Sequence, residues 1–384
     1  MNFGGSAADD GPLTLGQKLW QISWSLVFLL MILAAIGFAM LYSAASGEWD
    51  PWASRQMIRF SIGLVLMILV AVTDIQVWMR YAYTLYFLVL GLLVAVEVMG
   101  EIGMGAQRWI NIGFIQVQPS EIMKITLVLS LARYFHGATL EEIARPTRLI
   151  VPLLLLGAPV VLVLRQPDLG TAVMLAMTAA VIFFLAGVKA WKFGVIIVAA
   201  LAALPVAWSF LHVYQKDRIL TFLDPENDPL GTGYHILQSK IALGSGGVFG
   251  KGYLHGTQSH LNFLPEKQTD FIFTMLAEEF GMVGGLVILG IYILVIIYGF
   301  AIALRVRNQF GRLVALGIIG TFFFYVFINI AMVMGLVPVV GVPLPLISYG
   351  GTAMLSLMIG FGFVLCAYVH RDARIGRHGI SEEM

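Results

Sequence analysis

Ten long apolar stretches decide what this chain can fold into. They lie near residues 22–44, 57–74, 81–100, 119–136, 149–164, 170–188, 192–211, 271–304, 312–336 and 347–369. A helix needs about 20 apolar residues to cross a bilayer's hydrocarbon core, and most of these stretches match that length. In lipid every backbone amide must be satisfied within its own segment, so such a chain becomes a bundle of helices. With 59% hydrophobic and only 12% charged residues, and a mean hydropathy of +0.88, a soluble domain is excluded. The expected fold is all-α: a polytopic membrane protein whose ten transmembrane helices occupy residues 22–369, between tails at 1–21 and 370–384. The stretch at 149–164 is short, and that at 271–304 is long enough to tilt or to run past the bilayer. Asp9 and Asp10 precede the first basic residue, Lys18, so the first apolar stretch reads as a retained helix rather than a signal peptide. The single cysteine, Cys366, excludes an intrachain disulfide. A net charge of +1 argues against a nucleic-acid partner.

An even number of spans puts both termini on one side, and basic residues choose the side. One set of loops and tails holds Lys18, Arg80, Arg133, Arg145, Arg148, Lys189, Lys192, Arg305, Arg307, Arg312, Arg371, Arg374 and Arg377. The opposite short loops hold only Arg55, Arg59, Arg108 and Arg165. Both termini are therefore expected in the cytoplasm. The longest loop, about residues 212–270, then faces outward. Loops of that length are usually functional or disordered. Apolar pieces such as YHILQSKIALG predict short interfacial or re-entrant helices there, which are permitted where they line a protein cavity.

The residues able to carry chemistry gather on that outer face. Asp270 closes the stretch FLPEKQTDFIF, at the lip of an apolar run where desolvating a carboxylate is expensive. Glu121 and Lys124, three residues apart after Pro119, share a helix face and can form an ion pair inside a span. As intramembrane ionisable groups they are site candidates, although a bracing pair near the interface fits equally. Asp168 either caps the following helix or belongs to the site. Arg108, beside Trp109, and Arg165 are donors suited to phosphate, yet interfacial Arg and Trp also anchor spans. Lys124 and Lys267 are further cations for a phosphate. Ser348 lies in GVPLPLISYGGT, an uncharged polar cluster on the same side. The loop histidines, His212, His235, His255 and His260, lack metal-ligand spacing. No nucleotide-binding glycine motif precedes a helix.

Five blocks carry a resemblance: GAQRWINIGFIQVQPSEIMKI, LRQPDLGTA, YQKDRILTFLDPENDPLGTGYHILQSKIALGSGG, FLPEKQTDFIFTMLAEEFG and PLPLISYGGT. Together they resemble the signature blocks of the SEDS family (shape, elongation, division and sporulation), over about residues 20–370. LPEKQTDF and LRQPDLGT resemble its rod-shape branch rather than its division branch. Gln268 departs from the His found before Thr-Asp-Phe in many members. The resemblance implies a peptidoglycan glycosyltransferase of the bacterial inner membrane that polymerises lipid II, a disaccharide-pentapeptide on undecaprenyl pyrophosphate. It also implies a class B penicillin-binding transpeptidase partner, other elongasome proteins, and a divalent cation, Mg²⁺ or Mn²⁺. The physical reading agrees. A pyrophosphate is a good leaving group, the acceptor hydroxyl needs a base, and a single carboxylate, Asp270, suffices for an inverting displacement to a β-1,4 bond. Two other readings suit the residues: a flippase for lipid-linked precursors, and a non-catalytic scaffold that activates a transpeptidase.

Overall fold

A computed structural model describes residues 14–103, 106–112, 115–210, 216, 220–222, 224, 232–261, 266–373 and 375–376. The tails before residue 14 and after 376, and most of the long loop between 211 and 231, lie outside the described residues. Helices α1 (Leu15–Gln21), α2 (Trp24–Ala44), α3 (Ala53–Val72) and α4 (Ile75–Met99) lead into three strands, β1 (Glu101–Gly103), β2 (Ala106–Ile112) and β3 (Ile115–Val117). Then come α5 (Pro119–His136), α6 (Leu140–Ala144), a 3-10 turn (Pro146–Leu149), α7 (Ile150–Arg165), α8 (Leu169–Ala186) and α9 (Ala190–Phe210). The last part of the chain holds α10 (Thr232–Ser245), α11 (Thr257–His260), α12 (Ile272–Arg305), α13 (Gln309–Val333) and α14 (Gly351–Val369).

Eight of these helices are long and apolar enough to cross a membrane: α2, α3, α4, α7 with its preceding turn, α8, α12, α13 and α14. The two other expected spans are helical as α5 and α9, but α5 carries Glu121, Lys124 and Arg133 within its 18 residues. The bundle is layered around α13 and α14, where 72% and 78% of the apolar window is buried by protein. The α13 helix packs on α5, α8 and α12, and α14 lies along α3. Outward faces remain apolar, with Phe28, Ile58, Phe87, Leu154 and Phe184 all exposed. That is the pattern of helices solvated by lipid. Association then depends on close packing of small residues. Gly362 of α14 illustrates it: a Cβ there would stand 2.8 Å from the Met67 carbonyl of α3.

Two features depart from the sequence reading. The described residues between α4 and α5 form a small antiparallel sheet in the order β1-β2-β3, with Glu101 opposite Trp109 and Asn111 opposite Gln116. The run RWINI is rich in β-branched and aromatic side chains, which favours a strand. The bundle is all-α, and the sheet is an addition to it.

The 34-residue α12 is also broken, at Gly281 (φ 68°, ψ −165°). Below the break the helix runs about 36 Å, enough to cross a bilayer's hydrocarbon core. The segment Gly246–Gly252 docks into the break: Met282 and Val283 amides donate to Gly247 and Val248 carbonyls (3.0 and 3.1 Å), while Lys251 and Gly252 amides donate to Glu278 and Glu279 carbonyls (3.0 Å each). A Cβ on Gly281 would lie 2.3 Å from the Gly250 nitrogen, and its φ suits only glycine without strain. Immediately before this segment, YHILQSKIALG forms α10, as expected of the long loop. Its Ser239 hydroxyl bonds Thr274 of α12 (2.9 Å) and the Val333 carbonyl of α13 (2.8 Å).

Candidate active site

Asp270 stands where a tight turn feeds α12. The turn closes through Thr269 N–H to Glu266 O (3.0 Å) and Thr269 Oγ1 to Glu266 Oε2 (2.9 Å), with Glu266 at positive φ (56°). Two neighbours hold it from outside. Asn329, fully buried near the end of α13, donates through Nδ2 to the carbonyls of Asp270 (2.9 Å) and Val342 (2.8 Å). The 341–349 loop is stapled alongside. The Ser348 hydroxyl donates to Thr269 O (2.6 Å) and accepts from Leu344 N–H (2.7 Å), and Tyr349 N–H donates to Gln268 O (2.8 Å). A Cβ on Gly341 would sit 3.5 Å from Asp270 Oδ2, so this loop walls one side of the carboxylate. Backbone bonds thus fix Asp270 from both sides, the preorganisation that a general base requires.

The other sequence candidates divide into three groups. Arg108 of β2 donates through Nη2 to Pro167 O (3.0 Å), and its Nε stands 3.5 Å from Asp168 Oδ2. Asp168 does cap α8, accepting from Thr171 N–H (3.2 Å) and Thr171 Oγ1 (2.9 Å), while its other contact is the Arg108 guanidinium. Gly170, next on α8, packs against the Val340 carbonyl, which joins this pair to the loop beside Asp270.

Glu121 and Lys124 form the second group, a buried cluster. Lys124 Nζ bonds Glu121 Oε1 (2.7 Å) and Tyr325 Oη, and lies over the Tyr325 ring. Tyr325 Oη donates in turn to Glu121 Oε2 (2.6 Å), and Ser356 adds a longer contact (3.3 Å). The ion pair is therefore real and joins α5 to α13 and α14. Beside it remains a cavity of about 20 Å³, room for about one water.

The third group makes different contacts. Arg165 ends α7 exposed, with no ion pair or hydrogen bond to another described residue. The Ser348 hydroxyl donates to one backbone group and accepts from another, so it ties the 341–349 loop to the turn. Lys267 is buried in the turn, and burial pulls its ammonium pKa below the ordinary lysine range.

Sequence reasoning passed over three residues. Asn329 lies in an apolar helix, and a lone Asn at such a depth is itself a signal. Gln56 and Arg59 share one face of α3. Gln56 Nε2 donates to Ser348 O (2.9 Å), and the Arg59 guanidinium lies 4.9 Å from the centre of the Tyr349 ring. Their spacing of three at the start of a span was the visible clue.

Comparison with known proteins gives a consistent result. The family model of FtsW, RodA and SpoVE, described as cell cycle protein, matches residues 23–373. The chain is 47% identical over 345 residues to the peptidoglycan glycosyltransferase MrdB of Escherichia coli K12, covering 89% of this chain and 93% of that one. It is 30% identical to the peptidoglycan glycosyltransferase RodA of Treponema pallidum, covering 90% and 97%. Among solved structures, a chain of a peptidoglycan synthase complex that coordinates polymerisation and crosslinking superposes with a TM-score of 0.80 at 35% identity, over 91% of this chain and 98% of that chain. The rod shape determining protein RodA of Thermus thermophilus gives 0.70 at 31% identity, over 91% and 97%.

Proposed function

Because this chain belongs to the FtsW/RodA/SpoVE family, the SEDS proteins, we infer its reaction from that membership and from the geometry around Asp270. It is a peptidoglycan glycosyltransferase. The substrate is lipid II, held with its sugars at the outer face. The acceptor's 4-hydroxyl attacks the donor's C1. The new O–C1 bond forms as the bond from C1 to the pyrophosphate oxygen breaks, the proton passes to the Asp270 carboxylate, and the electron pair leaves on undecaprenyl pyrophosphate. Attack opposite the leaving group inverts an α-linked donor to a β-1,4 bond. The observation that carries this reading is the Asp270 turn, bolted by Asn329 and Ser348 at the mouth of the bundle.

The leaving pyrophosphate needs positive charge. Arg108 supplies it in this reading, its fork already placed by Pro167 and Asp168. Lys267 stands on the Asp270 turn, and Arg59 of α3 lies over Tyr349 of the loop beside it. Among the described residues no three acidic, His or Cys side chains gather, so an all-protein metal cage does not fit. Glu266 of the turn is the carboxylate that would help hold a Mg²⁺ or Mn²⁺ beside the substrate. Bound there it would neutralise charge on the leaving group. A class B transpeptidase is the proposed partner within an elongation complex, supported by the similar chain from a synthase complex. The excess of basic residues on the side opposite Asp270 supports an inner-membrane protein with both termini cytoplasmic. A C-terminal reporter that reads the outer side would overturn that orientation.

The test of the reaction is purified chain with lipid II and a divalent salt, analysed for glycan strands on a gel. Strands are expected. Movement of lipid II across vesicles without strands would replace this reading by a flippase. The phosphate assignment has its own test. An ammonium does not replace a planar fork that bonds two oxygens, so Arg108→Lys should lower the polymerisation rate with expression unchanged. Arg165→Lys, at an exposed position that needs only charge and stem, should leave it unchanged. Equal rates for wild type and Arg108→Lys would make Arg108 a brace for Asp168 and nothing more.

A further inference from the structure

A polar cavity lies at the other end of the bundle. The face that holds it is fixed by α13: Asn329 holds Asp270, whereas Phe310, nineteen residues earlier and so about 28 Å away, bonds His136 at the end of α5 (3.2 Å). Beside that end a cavity of about 420 Å³ opens among Tyr83, Arg133, Tyr134, Glu142, Arg148 and Leu149. That volume is within the range of small-ligand sites, about 300–1,000 Å³.

Its chemistry is cationic. Arg133 is half-buried, with its guanidinium 4.5 Å from the centre of the Tyr83 ring and one N–H donated to Arg80 O (2.6 Å). A guanidinium carries five N–H donors, so the fork retains capacity. Arg148 is more exposed, and Tyr134 Oη holds its carbonyl in place (2.6 Å). The one carboxylate of the cavity, Glu142, is engaged on both oxygens: Oε2 accepts from Thr139 N–H (2.9 Å) and Oε1 lies 3.4 Å from Arg148 Nη2. Around the cavity stand the further cations Arg80, Arg145 and Lys192, the last bonded to Ala144 O (2.9 Å), with Glu141 as a nearby acid.

Two observations favour a lipid as the occupant. The cavity stands over the crossing of α4 and α7, joined by Tyr86 Oη to Leu155 O (2.8 Å). Apolar side chains exposed on those helices start at the same level: Tyr81 and Leu88 on α4, Ile150, Val151 and Leu154 on α7. Acyl chains lying along this surface bring a headgroup to the height of the two arginines. Basic pockets between transmembrane helices bind acidic headgroups by this arrangement. We propose that the cavity is a binding site for an anionic phospholipid of the leaflet opposite Asp270, its phosphate between Arg133 and Arg148 and its acyl chains along α4 and α7. The site is independent of the glycosyl transfer.

The experiment uses the full chain in bilayers of phosphatidylcholine with or without phosphatidylglycerol, and counts retained lipid by native mass spectrometry across a titration. Wild type should retain phosphatidylglycerol in preference to phosphatidylcholine. Each arginine near the headgroup is worth about fivefold in affinity, so Arg148→Gln should weaken retention roughly fivefold, and Arg133→Gln with Arg148→Gln roughly 30-fold. Polymerisation in phosphatidylcholine should be unchanged. Arg133 also braces Arg80 and Tyr83, so if the double variant misfolds the exposed reversal Arg148→Glu decides instead. Equal retention by wild type and Arg148→Glu overturns the proposal, as does equal retention of the two lipids. Inorganic phosphate supplies the last arm. It should neither displace phosphatidylglycerol nor raise the thermal midpoint, and protection equal to the lipid's would assign the site to a free phosphate instead.

Discussion

Asp270→Asn should cut the initial rate of lipid II polymerisation by roughly 10²-fold or more, the scale on which a positioned general base contributes. The substitution keeps the shape of the side chain and removes only its capacity to take the proton. The Asp270 carbonyl still accepts from Asn329, and Ser348 still holds Thr269, so expression and thermal stability should match wild type. This separates the base from its mounting. Asn329→Ala, by contrast, releases two carbonyls at once and should lower rate and stability together. The measurement is strand formation against time at saturating divalent salt. A near wild-type rate for Asp270→Asn would remove the carboxylate from the mechanism whatever the rest of the site does.

A large loss of stability is expected from splitting Glu121 and Lys124. Their side chains are only 6% and 4% exposed, and removing one partner of a buried pair typically costs about 3–5 kcal/mol, because the other charge stays behind. Glu121→Gln leaves an ammonium facing the Tyr325 hydroxyl, and Lys124→Met leaves a carboxylate with only Tyr325 and Ser356 as donors. The double variant strands neither charge, so it should lose less than the two single losses added together. An interaction term of about 0.5–3 kcal/mol is the range for groups in contact. Thermal unfolding in detergent and polymerisation rate both report it. Strict additivity would mean that the 2.7 Å contact carries no energy of its own.

How much of this was legible follows from which physics each feature uses. Bilayer thickness is imprinted on apolar run lengths, so eight of the ten expected spans are found as membrane-length helices, with ends displaced by a few residues: the run assigned to 347–369 begins as helix only at Gly351, because 341–349 is spent on the loop that holds Asp270. The Glu121–Lys124 contact was readable because i,i+3 spacing is local. Its third member, Tyr325, lies 201 residues away from Lys124, and no local pattern points to it. Arg108 and Arg165 looked alike in sequence, each an arginine at the outer interface. The fold separates them, since β2 carries Arg108 onto the cap of α8 while Arg165 ends its helix in the open. Ser348 was marked for its chemistry, and its hydroxyl ties the 341–349 loop to the turn. The sheet at 101–117 was hidden by its own glycines and by its shortness.

The break at Gly281 makes α12 two bodies that meet on one docked segment, Gly246–Gly252. The lower one lies in the hydrocarbon and must answer to it: in a thicker or thinner bilayer a long apolar helix adjusts its tilt at a cost of fractions of a kcal/mol per Å. The upper one, Ile272 to Phe280, is clamped to Gly246–Gly252, to α10 through Thr274 and to α2 through the bond between Ser43 and Glu279. The helical ladder is interrupted at Gly281, so the leverage of a tilting membrane rod passes into the docked segment instead of running straight up the helix to the carboxylate. Polymerisation should then change little between bilayers of short and long acyl chains, while tilt-sensitive probes placed below Gly281 register the difference. A rate that tracks acyl length would show that the break is stiff.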